Sequence, residues 1–206
     1  MNNTQHEYGY MAVGVDIQND FCPGGSLAVP NGDEIIEPFN IVAEKIRALN
    51  GLVILTRDYH PKQTNHFDIW PPHCVAGTEG AEFHNKLVIN NNDLIISKGT
   101  KVDEDAYSGF QGFTLEGKNL EDIIKDEFKE KQKLILAIGG LATDYCVKET
   151  VLDALKLSKS ISDKQLVVVA MHNCMRAVNI NPDDGLMAVN EMAAEGALFE
   201  LPTELR

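Results

Sequence analysis

The chain has 206 residues, enough for one well-buried domain and short for two. Thirty-one Asp and Glu against eighteen Lys and Arg give a formal charge of −13, which repels phosphate backbones and anionic lipid surfaces and excludes nucleic-acid and membrane partners from the expectation. No apolar run approaches the roughly twenty residues of a spanning helix, MNNTQHEYGY lacks the pattern of a leader, and the four cysteines form no CxxC pair, so a cytoplasmic protein with reduced thiols is expected.

Residues 1–9 are polar and read as a loose tail. The apolar run 10–15 reads as a strand, ending at Asp16 and the loop DIQNDFCPGG. Over 33–49 the apolar residues Ile35, Ile36, Phe39, Val42, Ile46 and Leu49 recur at intervals of three and four, one face of a helix that Asn50 and Gly51 stop. Residues 52–56 form a second strand of continuous apolar character, as in a parallel sheet covered on both faces. The loop that follows, to about Gly80, carries three histidines, the only Trp and three prolines, and a loop of that length usually carries function.

Further on, 94–97 is a short strand leading into Lys98 and Gly99, 100–117 is irregular, and 119–128 is helical. The stretch LILAIGGLATDYCVKETVLDALKL reads as strand, tight turn and helix, with Thr143 or Asp144 placed to cap and Cys146 in the first helical turn. There the helix start favours a thiolate and aims free amides at whatever the sulfur attacks. LVVVAM at 166–171 is a fifth strand. Asn181, Pro182, Asp183 and Asp184 open a last helix running to about 195, and 198–201 is a sixth strand at an edge. This alternation indicates one α/β domain, a doubly wound, mostly parallel six-stranded sheet with helices on both faces. Ligands in such sheets bind beyond the carboxyl ends of the strands, where Asp16, the loop after Thr56, Lys98 and Cys146 all fall.

Four groups carry chemistry. Asp16, Lys98 and Cys146, each at a strand end, suit a cysteine nucleophile with a proton acceptor and a charge partner; by spacing alone the Asp and Lys also suit caps or solvated charges. Asp58, His60, His66 and His73 on one loop suit one divalent ion of the zinc, iron or manganese type, although surface histidines remain open. His6, His84 and His172 read as structural, and Cys74, adjacent to His73, as packing, with a soft ligand as the alternative. Phe21, Trp70, Tyr107 and Tyr145 lie in or beside the same loops, pointing to a planar ring or to ordinary packing. Finally, GGLATD, with Leu141 and Ala142, does not fit the spacing of a dinucleotide loop.

With VDIQNDFCPGG, TRDYHPKQTNHF, WPPHCVAGTEGAEFH, SKG, DAYSGF and GGLATDYCV in place, the chain resembles the nicotinamidase/pyrazinamidase branch of the isochorismatase-like cysteine hydrolases over nearly its whole length. The resemblance implies hydrolysis of nicotinamide, and of pyrazinamide, to the acid and ammonia, as in NAD salvage. It makes Asp16, Lys98 and Cys146 the catalytic triad and Asp58, His60, His66 and His73 the metal ligands. It makes the amides of Ala142 and Cys146 the oxyanion hole, with a cis peptide before Ala142. Phe21, Trp70 and Leu141 would line the ring and Tyr107 and Tyr145 narrow the entrance. The partner implied is the small-molecule substrate, with room for a homo-oligomer. The chain departs from the commonest pattern of that family in the short FDI segment after His66 and in the acidic insertion KVDED after Lys98. Two other readings stay open: an amidase of the same superfamily acting on carbamoyl or ureido compounds, which generally lacks the DxH and WPxHC elements, and a non-catalytic metal-binding protein.

Overall fold

The computed structural model describes residues 8–206. Five parallel strands, β1 (Tyr8–Val15), β2 (Leu52–Asp58), β3 (Leu94–Lys98), β4 (Lys133–Leu141) and β5 (Gln165–Arg176), make one sheet in the order β3-β2-β1-β4-β5. Both faces of the sheet are covered, which is why the strands read as unbroken apolar runs. Met11, Val13 and Val15 pack with α2 (Leu120–Glu127), α3 (Lys148–Ser160) and α4 (Asp184–Glu195), whereas Ala12 and Leu55 pack with α1 (Ile36–Ala48). The periodicity of α1 is realised in its buried Ile36, Phe39, Val42 and Ile46.

The sheet has five strands, not six. Of the expected edge strand at 198–201 only Leu198 pairs, through Leu198 N to Val168 O at 2.9 Å and Ala170 N to Leu198 O at 2.8 Å. Beyond it the chain turns onto the α1 face, where Leu201 and Leu205 pack, and apolar burial there wins over further pairing. Tyr8 and Gly9, read as part of a tail, belong to β1, paired with Lys133 and Leu134; residues 1–7 and His6 lie outside the described residues. The last helix starts at Asp184, later than the Asn181 cap implied, and Asn179 Oδ1 accepts from Gly185 N at 2.8 Å. Asn119, by contrast, caps α2 as its sequence suggests, in a reciprocal pair with Asp122.

The strand order places the reversal of winding between β1 and β4, so their carboxyl ends open a crevice. Asp16 follows β1 in a left-handed conformation (φ 51°), and β4 ends in a sharp turn. Gly140 (φ 137°) is required there, since a Cβ would lie 2.0 Å from Val15 O. All four cysteines are free and buried. Among the described residues no helix is long and apolar enough to cross a membrane.

Candidate active site

The segment between β4 and α3 is not a capped helix start. Thr143–Val147 forms one wide turn in which Val147 N donates to Ala142 O, five residues back, at 3.1 Å. Such turns occur often at functional sites. Neither Thr143 nor Asp144 caps it. Asp144 instead accepts from the amides of Val178 and Asn179 at 2.9 and 2.8 Å, because two donors on the adjoining loop hold a carboxylate better than one frayed turn. The peptide bond between Leu141 and Ala142 is cis, as the resemblance implies.

The structure brings Asp16, Lys98 and Cys146 together behind this turn. Lys98 Nζ lies 3.4 Å from Cys146 Sγ, 2.8 Å from Asp16 Oδ2 and 2.5 Å from Asp58 Oδ1. One Asp16 oxygen lies within 4.8 Å of the sulfur. Asp16 and Lys98 are wholly buried, while Cys146, 7% exposed, faces the cavity. Asp16 Oδ1 accepts from Thr56 Oγ1 at 2.6 Å; Oδ2 faces the ammonium off the line of a hydrogen bond and has no donor. That oxygen is ion-paired with the ammonium at 2.8 Å and has no second partner.

The charge balance follows from burial. Burial raises the Asp16 carboxyl above its ordinary range, with Lys98 pulling the other way. Burial acts to lower Lys98, but Asp16, Asp58 and the sulfur outweigh it and hold its ammonium well above the usual lysine value. Burial also pushes the Cys146 thiol up; Lys98 opposes this and the two carboxylates add to it. Burial thus opposes the thiolate that the helix start favours, and Lys98 is the group that supports it.

A second cluster adjoins the first. Nitrogens of His60, His66 and His73 lie within 4.8 Å of one another, and all three residues are buried. His60 Nδ1 donates to Gly99 O at 2.9 Å, His66 Nδ1 to Asp105 Oδ1 at 2.6 Å and His73 Nδ1 to Pro71 O at 2.8 Å. Each ring thus turns a bare Nε2 to its neighbours, and His60 Nε2 is a buried atom with no partner. This donor set suits a divalent metal. Gly99 (φ 64°) lets the backbone reach His60, since a Cβ there would meet the ring at 2.4 Å. Asp58 joins the two clusters: Oδ1 is taken by Lys98, and Oδ2 lies 3.8 Å from His60 Nε2.

Over both clusters lies a cavity of about 440 Å³, mouth included, lined by Phe21, Trp70, Tyr107, Leu141, Ala142 and Tyr145 among others. Trp70 meets Tyr145 edge-on at 5.0 Å and donates Nε1–H to Tyr107 Oη at 3.0 Å, while Phe21 packs 5.4 Å from the His73 ring. Cys74 packs, wholly buried beside the cluster. His84 and His172 stand apart from it.

Several contributors escaped the sequence reading. Gln18, wholly buried, donates to Asp58 O and Ala81 O and accepts from Asp58 N, fixing the backbone of the aspartate that joins the clusters. Asp20 accepts from Cys74 N at 2.7 Å and holds the turn (φ 44°) after His73. Thr56 and Asp105 complete the set. The only sequence signals were a polar Thr closing an apolar run and the acidic insertion itself, and neither names a partner some 40 residues away.

The isochorismatase domain family matches residues 10–197. The nicotinamidase of Escherichia coli (strain K12) is 35% identical over 202 residues, covering 89% of this chain and 90% of its own length. The nicotinamidase/pyrazinamidase of Mycobacterium tuberculosis is 35% identical over 149 residues, 69% of this chain and 76% of its own. Among solved structures, the pyrazinamidase of Pyrococcus horikoshii in complex with zinc superposes with a TM-score of 0.80 at 35% identity, covering 94% of this chain and 99% of that one. On this sequence match, fold and site, the chain belongs to the isochorismatase-like hydrolases, in their nicotinamidase/pyrazinamidase branch.

Proposed function

We propose that this amide hydrolase converts nicotinamide to nicotinate and ammonia, with Cys146 as nucleophile, and that pyrazinamide is a second substrate. One observation carries the reading: Cys146, backed by the buried Asp16 and Lys98, lines one aromatic-lined cavity together with His66, His73 and Asp58, and Lys98 links the sulfur to Asp58 beside the histidines. A carboxamide on a pyridine ring presents a carbonyl carbon for the sulfur and a ring nitrogen for a bound cation. His60, His66 and His73, with Asp58 Oδ2 at their edge, would hold a divalent ion. When bound, that ion supplies a Lewis-acid anchor for the ring nitrogen.

Asp16 takes the proton of Cys146 as the sulfur attacks the carboxamide carbon, and Lys98 holds the charge that passes between them. The amides of Ala142 and Cys146 donate to the developing oxyanion. Asp16 returns the proton to the departing ammonia, leaving a thioester. It then takes a proton from the water that opens the thioester and passes it to the departing sulfur as nicotinate leaves. Trp70, Phe21 and Leu141 hold the ring, while Tyr107 and Tyr145 restrict the mouth.

Ammonia release from nicotinamide, measured before and after chelation and after Zn²⁺, Fe²⁺ or Mn²⁺ is restored, tests the reading. Activity that falls on chelation and returns with one of the ions is expected. No release from any carboxamide would overturn the catalytic reading, and release unaffected by complete metal removal would favour an amidase of carbamoyl or ureido compounds.

A further inference from the structure

All three clustered histidines fix their tautomer through Nδ1, but by unlike acceptors. His60 and His73 use neutral carbonyls, of Gly99 and Pro71. His66 alone uses a carboxylate, Asp105, at 2.6 Å. Asp105 ends the acidic stretch KVDED between β3 and DAYSGF. That stretch is held at both ends of its reach. Glu104 Oε2 accepts from the amides of Thr100 and Lys101 at 2.8 and 3.2 Å, which folds the loop on itself. Val102 O then accepts from Asn65 N at 2.8 Å and Thr64 Oγ1 at 2.9 Å. The same Thr64 hydroxyl accepts from His66 N at 3.2 Å, so the loop grips the turn that carries His66 and delivers Asp105 to its ring. The His66 ring is buried, whereas the Asp105 side chain is 46% exposed, so the contact sits at the edge of the site with water on its outer side.

We propose that Asp105 is a positioning residue for the metal site, and that the loop after β3 sets how tightly the cation is held. This rests on the metal reading above. A carboxylate on Nδ1–H makes Nε2 a stronger donor and keeps its lone pair turned inward, as outer partners of ligating histidines commonly do. An ordinary surface ion pair would do neither; it would leave cation affinity where it was.

The test uses the full chain and its Asp105→Ala and Asp105→Asn variants, stripped by chelation and titrated with Zn²⁺ against a chromophoric competitor. Asp105→Ala should bind Zn²⁺ about 10–100-fold more weakly. Asp105→Asn should fall between, because its carbonyl still accepts the Nδ1 proton without the charge. Melting of the stripped proteins should coincide. Equal Zn²⁺ affinity in all three overturns the proposal, as does a weakening matched by an equal loss of stability in the stripped variants. A parent that binds no Zn²⁺ overturns the metal reading itself, which the parent titration alone reveals.

Discussion

Thr56→Val keeps the shape of the side chain and removes one donor. Thr56 and Asp16 are both wholly buried, and the hydroxyl, at 2.6 Å, is the side-chain donor to Asp16 Oδ1; Oδ2 has none. No water-exposed route restores the lost bond. A hydrogen bond to a charged group contributes about 1.5–3 kcal/mol, and a chain of this size loses about 2–4 °C of Tm per kcal/mol. The variant should therefore melt about 3–12 °C lower in calorimetry. The hydroxyl is also among the groups that lower the Asp16 carboxyl against its burial. Without it that carboxyl titrates higher still, less of it is ionised at a given pH, and the acid limb of kcat/KM for ammonia release moves to higher pH. Thr56→Ser, which returns the donor, should restore both. A Thr56→Val protein with a Tm within about 1 °C of the parent and a superimposable pH profile would refute the assignment of Asp16 as the proton acceptor held by Thr56.

Cys146→Ala should reduce ammonia release to background while costing about 1 kcal/mol or less in a urea titration, because the sulfur borders the cavity and Lys98 keeps both carboxylates; residual turnover would point to another nucleophile. The metal-free protein should lose stability as pH falls from 6.5 toward 4, since burial and the neighbouring His66 and His73 lower His60 from 6.5 to about 4. In that window the unfolded chain takes up the proton and the folded one does not, so stability is complete above 6.5 and declines by about 1.4 kcal/mol per pH unit for that one group. Urea midpoints of the parent and His60→Asn at pH 7 and 5 measure it, and equal midpoint shifts in the two would contradict the sign.

The amino-acid sequence by itself determined the strands, the helices and the residue types of the site. The apolar runs of β1, β2, β4 and β5 and the spaced apolar residues of α1 are local signals, and they mark buried faces whatever the chain does elsewhere. Its motifs named Asp16, Lys98 and Cys146, which fall at or just past strand ends, and Asp58, His60, His66 and His73, which begin at the end of β2 and run into the loop after it. Local signals could not tell that Leu198 would pair alone, since strand count depends on what competes for the chain beyond it, here the α1 face that takes Leu201 and Leu205. Nor could they show that Asp144 would leave the turn before α3 for two amides of another loop. Only the tertiary structure decided that Lys98 stands between Asp16 and Asp58, that burial works against a thiolate at Cys146, and that Thr56 reaches Asp16 and Asp105 reaches His66. The physical reason is common to all of these. Charge state and hydrogen-bond partnership at a buried site depend on which groups share a dry volume, and strands far apart in the chain supply them.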